Sequence, residues 1–325
     1  MPVRWGIIST AKINEKFLDG VRDSAEVEVV AVASRNRESA EHYASEHGID
    51  RAYGGYDDLL TDPDVDVVYI SLPNSLHIEW SIRALEAGKH VLCEKPLSRR
   101  AQDVARAFDV AERNDRMLSE AFMYRHHPQT RRLSEMVEAN AVGKLRLVRA
   151  AFSFPSPAPG NVRLRTDLDG GALMDVGCYC VSGARLIAGE PHRVTAQQAL
   201  GGDGVDIGFV GTMACADDVL VHFDAGMSFA DRDELEVVGE DASLFVDDPW
   251  HCVNPVIELR RTGEVEHIEI DRVNPYRLEA ENMSAAIEGR APLLLGREDA
   301  LGQARCIEAL YEAAAHGRAV TLDDH

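Results

Sequence analysis

The first third of the chain switches repeatedly between two hydrophobic periods, and this alternation constrains the fold more than any other feature. Val3–Ser9 is a continuous apolar run, and Thr10–Asp23 then spaces Ile13, Phe17, Leu18 and Val21 as a helix does. Val27–Ser34 (VEVVAVAS) predicts a second strand and Arg37–His47 a second helix. Tyr53 falls on a short third strand, Asp57–Leu60 opens a short helix, and Val65–Leu72 (VDVVYISL) is a further β-branched run. Ser75–Ala87 reads as a helix with Ser75 as N-cap and Gly88 as its stop. His90–Cys93, Ala101–Asn114 and Met117–Phe122 continue as strand, helix and strand. Strands that are apolar throughout are buried on both faces. Their alternation with helices over short links calls for right-handed parallel crossovers. Residues 1–123 are therefore expected to form a doubly wound parallel α/β sheet.

The pattern then changes. Pro128–Ala139 reads as a helix, Leu145–Phe154 as a long alternating strand, Pro155–Gly170 as a loop and Gly171–Ala188 as a helix. Between Arg193 and Ile270 lie several strand-like runs (VTAQQAL, IGFVGTMAC, VLVHFDAGMSF, ELEVVG, SLFVD, VIELRR, EHIEI). Turn signals such as Gly201-Gly202, Asp217-Asp218 and Thr262-Gly263 separate them, which implies a large open sheet, mostly antiparallel. Helices over Tyr276–Glu288 and Arg297–His316 follow. At roughly 150 residues per domain, the 325 residues suit two domains, 1–123 and 124–325.

Charge narrows the partners. Lysine and arginine total 34 against 55 aspartates and glutamates, a formal charge of −21. Nucleic-acid binding needs a basic stripe, so a nucleic-acid partner is not expected. No apolar run approaches the ~18 residues of a membrane helix. The start, Met1-Pro2-Val3-Arg4-Trp5-Gly6-Ile7-Ile8, reads as a first strand rather than a signal peptide, so a cytoplasmic location is expected. The six cysteines form no CxxC pair and no zinc-spaced cluster, so no metal is expected and the thiols read as buried and reduced.

Chemistry is expected at the carboxyl ends of the first strands. The first strand–turn–helix is where a doubly wound sheet holds a dinucleotide pyrophosphate. Ser9-Thr10-Ala11-Lys12-Ile13-Asn14 stands there, without glycine at the first, third and sixth places of the GxGxxG pattern. Ser9 and Ala11 are still small enough for close backbone approach, and Ser9 and Thr10 can donate hydroxyl hydrogen bonds. After the second strand comes Ser34-Arg35-Asn36-Arg37, where an acidic residue would hold a ribose diol. An arginine there suits the 2′-phosphate of NADP in preference to NAD; the plain alternative is a solvated arginine pair. The fourth strand ends in Ser71-Leu72-Pro73-Asn74-Ser75-Leu76-His77. Asn74 and His77 are placed to meet a nicotinamide ribose, or else serve as turn and core residues.

The next strand ends in Cys93-Glu94-Lys95-Pro96-Leu97. The Lys95 ammonium could polarise a hydroxyl; on this peptide alone it reads equally as a surface lysine. Within Gly170-Gly171-Ala172-Leu173-Met174-Asp175-Val176-Gly177-Cys178-Tyr179-Cys180, Asp175 and Tyr179 are spaced i, i+4 and share one face of a regular helix. A carboxylate and a phenol so placed could hold a polyhydroxylated substrate and move one proton. A nearby ammonium would favour the phenolate of a tyrosine that titrates near ~10 when free. The alternative is a helix-start charge beside a core tyrosine.

Together these pieces resemble the Gfo/Idh/MocA family of NAD(P)-dependent oxidoreductases over nearly the whole chain. The matching segments are RWGIIST-AKI, ASRN, SLPNSLH, the EKP tripeptide, EAFMYRHHPQ and GGALMDVGCYC. The finer matches are similar to the branch of NADP-dependent D-xylose dehydrogenases, dimeric dihydrodiol dehydrogenases and glucose–fructose oxidoreductases. The resemblance implies an N-terminal Rossmann domain followed by an α+β substrate-binding and oligomerisation domain. It implies that Lys95 is the family lysine, touching nicotinamide and the reacting hydroxyl. Tyr179 would occupy the acid/base position and Asp175 would orient the substrate. Arg163, in Asn161-Val162-Arg163, matches an arginine-bearing segment near the cofactor. Cofactor contacts are expected from Ser9, Thr10, Ala11, Lys12, Ile13, Ser34, Arg35, Leu72, Pro73, Asn74, His77, Glu94, Lys95 and Arg163. Tyr276, His126 and His127 are further candidates for the substrate pocket.

The expected function is an NADP-dependent oxidoreductase passing a hydride between nicotinamide and a carbinol carbon of a sugar or cyclic polyol. Oxidation of an aldose such as D-xylose at C1 to the lactone is the leading substrate. The alternatives are a trans-dihydrodiol dehydrogenase, a keto-sugar reductase, an enzyme of the same fold acting on a non-sugar, and a non-catalytic NADP-binding regulator. A homodimer or homotetramer through the C-terminal sheet is expected.

Overall fold

The structure, a computed structural model, describes residues 1–158 and 160–322. Two units divide the chain: Met1–Met123 with Asn274–Leu301, and Tyr124–Val273 with the residues from Gly302 onward.

Among the described residues of the first unit, β1 (Val3–Ile8), β2 (Val27–Ala33), β3 (Arg51–Tyr53), β4 (Val67–Ile70), β5 (His90–Glu94) and β6 (Leu118–Ala121) form one parallel sheet. Their order is β3-β2-β1-β4-β5-β6. Helices α1 (Ile13–Val21), α2 (Arg37–His47), α3 (Tyr56–Leu60), α4 (His77–Glu86) and α5 (Ala101–Arg113) connect them. The winding reverses at β1 and β4, and sheets of this kind bind ligands outside the strand ends at that point. The apolar runs are buried on both faces: all four residues of β4 are buried, as are Trp5, Ile7 and Ile8 of β1. Helix ends follow local chemistry. Asn36 Oδ1 accepts from Ser39 N at 3.2 Å to cap α2, and Gly48, at φ 68°, stops it in the left-handed region. Ser75 does not cap α4 as expected. A 3-10 turn over Asn74–Leu76 precedes the helix, which starts at His77. Pro73 sets this entry, its carbonyl accepting from Leu76 N at 2.9 Å.

In the second unit, α6 (Pro128–Glu138) is followed by β7 (Leu145–Ser153) and α7 (Cys178–Ala188). Then come β8 (Arg193–Leu200), β9 (Asp206–Ala214), β10 (Leu220–Gly226), β11 (Arg232–Gly239), β12 (Ser243–Val246), β13 (Val256–Arg261) and β14 (Glu264–Glu269). With a short last strand, β15 (Val320–Thr321), they form a sheet in the order β14-β13-β12-β11-β7-β10-β9-β8-β15. Only the β7–β10 pair is parallel among the described strands. Turns fall where the sequence signals them, with Asp217, Asp218 and Gly263 at positive φ. Helix α7 packs on one face, over Val148, Phe223 and Val237, all buried. The opposite face carries polar cross-strand partners such as Arg149 with Glu236 and Thr195 with Thr212.

The segment expected as one helix over Gly171–Ala188 opens instead as a π-helical turn, Leu173–Gly177, before α7. A buried carboxylate holds the start of this turn. Asp206 Oδ2 accepts from Leu173 N at 2.7 Å while its Oδ1 accepts from the Tyr311 hydroxyl at 3.0 Å. Gly171 lies against it at φ 132°, and a Cβ there would stand 2.2 Å from the carboxylate.

The sequence boundary places everything after residue 123 in one domain, whereas residues 274–301 belong to the first unit. Helix α8 (Pro275–Ile287) packs against α1 and β2. Gly20 of α1 permits this: a Cβ there would meet Asn274 Oδ1 at 2.9 Å and Tyr276 Cβ at 3.1 Å. Trp5 Nε1 donates to Ser284 Oγ at 3.2 Å and Ser24 Oγ donates to Glu281 Oε1 at 2.8 Å. Helix α9 (Arg297–His316) matches its expected span.

Candidate active site

In the first unit, the ends of β1, β2, β4 and β5 are where a sheet wound in this order binds a dinucleotide. Beyond β1 the chain turns at Ser9, whose φ of 116° lies in the region glycine adopts without strain. Other bonds hold the serine there. Its Oγ lies 2.8 Å from Ser71 Oγ and accepts from Ala11 N at 3.1 Å, and Asn14 Nδ2 donates to Ser9 O at 2.9 Å. The hydroxyl expected to reach a phosphate is thus engaged in tying β1 to the end of β4. Thr10, Ala11, Lys12 and Ile13 lead into α1, whose N-terminal amides and dipole suit an anion. At the end of β2, Ser34 N donates to Tyr53 O at 3.0 Å. Arg37 pairs with Glu41 at 2.8 Å, whereas exposed Arg35 has no ion pair among the described residues. These residues fit a dinucleotide with an extra phosphate on its adenosine ribose: small residues at the turn, a helix start behind it and an available guanidinium in place of a carboxylate.

The turn after β5 is held on several sides. Tyr69 hydroxyl donates to Glu94 Oε1 at 2.5 Å, and Glu94 Oε2 accepts from Lys95 N at 3.3 Å. Leu97 N donates to Glu120 Oε1 at 2.7 Å. His77, 1% exposed, places Nδ1 2.9 Å from Pro96 O and Nε2 2.7 Å from Leu72 O. Both neighbours are acceptors, so a ring with one proton makes one of these hydrogen bonds. His77 thereby joins the Leu72-Pro73-Asn74 segment to the peptide after Lys95, a bridging position rather than an open one. Pro73, Asn74 and Lys95 are half-buried around it.

Tyr276, on α8, is buried in this unit, where the nearby carboxylates Glu94 and Glu279 reinforce the upward push of burial on its phenol. Glu279 is also buried, and neither carboxylate oxygen has a hydrogen-bond partner among the described residues. Burial holds its carboxyl well above the usual range, with the charge of Glu94 adding to the effect.

In the second unit the carboxylate and phenol turn to different neighbours. Asp175, in the π turn, accepts from Arg163 Nε at 2.6 Å, so two expected site residues meet directly. Tyr179, 7% exposed, sits in the first turn of α7 among aromatic rings. The ring centroids of Tyr124, Phe152 and Trp250 lie 5.8, 5.4 and 6.1 Å away. Trp250 is anchored by its Nε1, which donates to Ala151 O at 3.2 Å. Beyond Phe152 lies His251, whose Nδ1 is 2.6 Å from Asp233 Oδ2. Burial pushes the Asp233 carboxyl up, and its hydrogen bond with His251 opposes that rise.

His126 and His127 have other employment. Burial, with Arg125 adding to it, pushes His126 down to about 3, so its ring is neutral. His127 Nδ1 accepts from Gln129 N at 3.1 Å and caps α6. Sequence reasoning missed Phe152, Trp250, Asp233, His251 and Glu120. Glu120 stands in the EAFMYRHHPQ segment without a local signal of its bond to Leu97 N, and strand register and a loop bring the other four into place.

Two family models and several known proteins match the chain. The family model for the Gfo/Idh/MocA oxidoreductases, described as having an NAD-binding Rossmann fold, matches residues 3–122. The model of the family's C-terminal domain matches residues 130–245. D-xylose 1-dehydrogenase (NADP(+)) 2 of Haloferax volcanii is 38% identical over 325 residues, covering 98% of this chain and 99% of the relative. Trans-1,2-dihydrobenzene-1,2-diol dehydrogenase of Danio rerio is 32% identical over 300 residues, covering 88% and 89%. The crystal structure of a 3-ketoreductase from Actinomadura kijaniata with NADP and TDP-benzene superposes with a TM-score of 0.91 at 31% identity, covering 96% of this chain and 98% of that one. The same reductase has been solved with a tyrosine replaced by phenylalanine and with a lysine replaced by alanine.

Proposed function

Because the chain belongs to the Gfo/Idh/MocA family of oxidoreductases, we propose that it is an NADP-dependent dehydrogenase of a sugar or cyclic polyol. The leading reaction is oxidation of an aldose such as D-xylose at C1 to the lactone. Cofactor contacts are assigned to the turn Ser9–Ile13, to Ser34 and Arg35, to Leu72, Pro73, Asn74 and His77, and to Glu94 and Lys95. When bound, the nicotinamide supplies the hydride acceptor. Tyr179 takes the hydroxyl proton and Lys95 stabilises the alkoxide as charge develops. Asp175, held by Arg163, orients the ring hydroxyls, and this positioning supplies much of the rate. Tyr276 lies beside Glu94 and is assigned to shaping the substrate end of that strand.

The observation that carries the reading is the bracing of the Glu94-Lys95-Pro96 turn by Tyr69, Glu120 and His77. A solvated surface lysine needs no such support, whereas a lysine that must meet a reacting oxygen does. The lysine and tyrosine probed in the 3-ketoreductase are the same residue types as this proposed pair. Likeness to that enzyme also favours a second reading, in which the pair works in reverse on a keto-sugar. Cytoplasmic homo-oligomers are part of the proposal. The open face of the second unit's sheet exposes Val210 and Leu220, which suits it to a second copy; among the described residues no helix is long and apolar enough to cross a membrane.

The test is a panel of aldoses, keto-sugars and trans-dihydrodiols with NADP or NADPH, followed by nicotinamide absorbance. Turnover of aldoses with NADP supports the first reading. Keto-sugar reduction alone supports the second, and no turnover of any member overturns both.

A further inference from the structure

We propose that His251, oriented by Asp233, is a hydrogen-bond acceptor for one hydroxyl of a pyranose substrate, beside the aromatic rings that surround Tyr179. The inference rests on the reading of Tyr179 as the proton-accepting phenol. Asp233 and Phe152 are direct cross-strand partners on β11 and β7, so their side chains share one face of the sheet. Phe152 meets the Tyr179 ring at 5.4 Å on one side and the His251 ring at 5.3 Å on the other, edge to face in both cases. His251 is thus one ring removed from the phenol, on the α7 side of the sheet.

The dyad is built around one tautomer. Asp233 Oδ1 accepts from Trp250 N at 3.2 Å, which leaves Oδ2 for His251 Nδ1 at 2.6 Å. A carboxylate can only accept, so the Nδ1 position carries the proton, and a ring with one proton presents Nε2 as an acceptor. Nε2 has no hydrogen-bond partner among the described residues, and the side chain is 41% exposed. The same loop fixes Asp248, whose Oδ2 accepts from Val253 N at 2.5 Å and Asn254 N at 2.8 Å. Its Oδ1 lies 4.0 Å from His251 Nδ1, on the side of the ring that faces Asp233.

Asp233, Asp248 and His251 also bring three groups of metal-ligating type within 4.8 Å of one another. The dyad's short contact argues against one: a nitrogen and an oxygen that each bind an ion at about 2.1 Å stand farther apart than 2.6 Å at tetrahedral or octahedral angles. An apolar rim beside a directed acceptor matches the two surfaces of a pyranose, its C–H face and its hydroxyl edge.

Two variants separate the acceptor from the packing. His251→Phe keeps the ring against Phe152 and deletes Nε2. Asp233→Asn keeps the shape and reverses the tautomer. The Asn oxygen stays on Trp250 N, so its NH2 group faces Nδ1 and the proton moves to Nε2. Both should raise KM for D-xylose roughly tenfold, the loss of one neutral hydrogen bond, while the NADPH Kd from cofactor fluorescence stays unchanged. Among singly deoxygenated xylopyranoses, one should lose the same factor in the wild type yet be indifferent to His251→Phe. A KM within twofold of wild type in both variants overturns the inference. An independent readout uses 15N-histidine-labelled protein loaded with NADPH: D-xylose should shift the His251 Nε2 resonance. Turnover without that shift defeats this inference and spares the functional reading. The absence of turnover with every sugar defeats the functional reading, and an unmoved resonance then defeats this one as well.

Discussion

Arg163 donates from Nε to Asp175 Oδ2 at 2.6 Å, joining a loop guanidinium to the carboxylate of the π turn. If Arg163 acts by holding Asp175, removing the arginine after the aspartate should cost nothing more. Asp175→Asn should lower kcat/KM by one to two powers of ten. Arg163→Ala should lower it roughly fivefold, since a half-exposed pair contributes about 0–1 kcal/mol. The double variant should match Asp175→Asn within about twofold. Additive losses, with a raised KM for NADP in the Arg163 variant, would instead place the guanidinium on the cofactor itself.

Tyr179 separates packing from chemistry in a single substitution. Its ring is wedged among Tyr124, Phe152 and Trp250, and phenylalanine keeps those contacts. Tyr179→Phe should leave Tm nearly unchanged and reduce turnover at least ~100-fold, the lower end of general acid–base contributions. Near-normal turnover would remove the phenol from the mechanism.

What could be read in the sequence was whatever a local pattern encodes. The strands of the first unit are apolar on both faces, so β1, β2 and β4 stand out without knowledge of their neighbours. The turn positions of the second sheet are likewise local, because Asp217, Asp218 and Gly263 take positive φ. Features set by distant partners were hidden. The carboxylate that holds the start of the π turn comes from Asp206, more than thirty positions after Leu173. The return of α8 to the first unit depends on a glycine in α1 and an indole in β1. Of the proposed catalytic and substrate residues, Lys95, Asp175 and Tyr179 were legible as motifs. His77 was legible as a position but not in its setting, since its two carbonyl partners come from separate segments.

Arg35 should decide cofactor choice. It is exposed and without an ion pair among the described residues, beside Ser34 and Asn36 rather than a carboxylate. A charge-assisted hydrogen bond contributes about 1.5–3 kcal/mol, so Arg35→Ala should weaken NADP binding by one to two powers of ten and leave NAD unchanged. Fluorescence titration at fixed ionic strength measures both. Equal weakening for the two dinucleotides would mean that the guanidinium contacts something they share.

Glu279 gives the fold a pH dependence of definite sign. Glu279 is 2% exposed with no hydrogen-bond partner on either carboxylate oxygen among the described residues, and burial raises its pKa well above the usual range. In the unfolded chain it titrates near ~4.3. Between that value and its folded pKa, the folded chain keeps a proton that the unfolded chain has released. Stability therefore falls as pH rises through this window, by at most about 1.4 kcal/mol per pH unit. Glu279→Gln removes the ionisation while keeping the shape. The Tm of the variant should rise relative to wild type as pH goes from about 4 to about 8, and the difference between the two proteins cancels every other titrating group. A difference that stays flat with pH would mean that Glu279 keeps its charge in the fold, and that water or a cation reaches it behind the strand carrying Glu94.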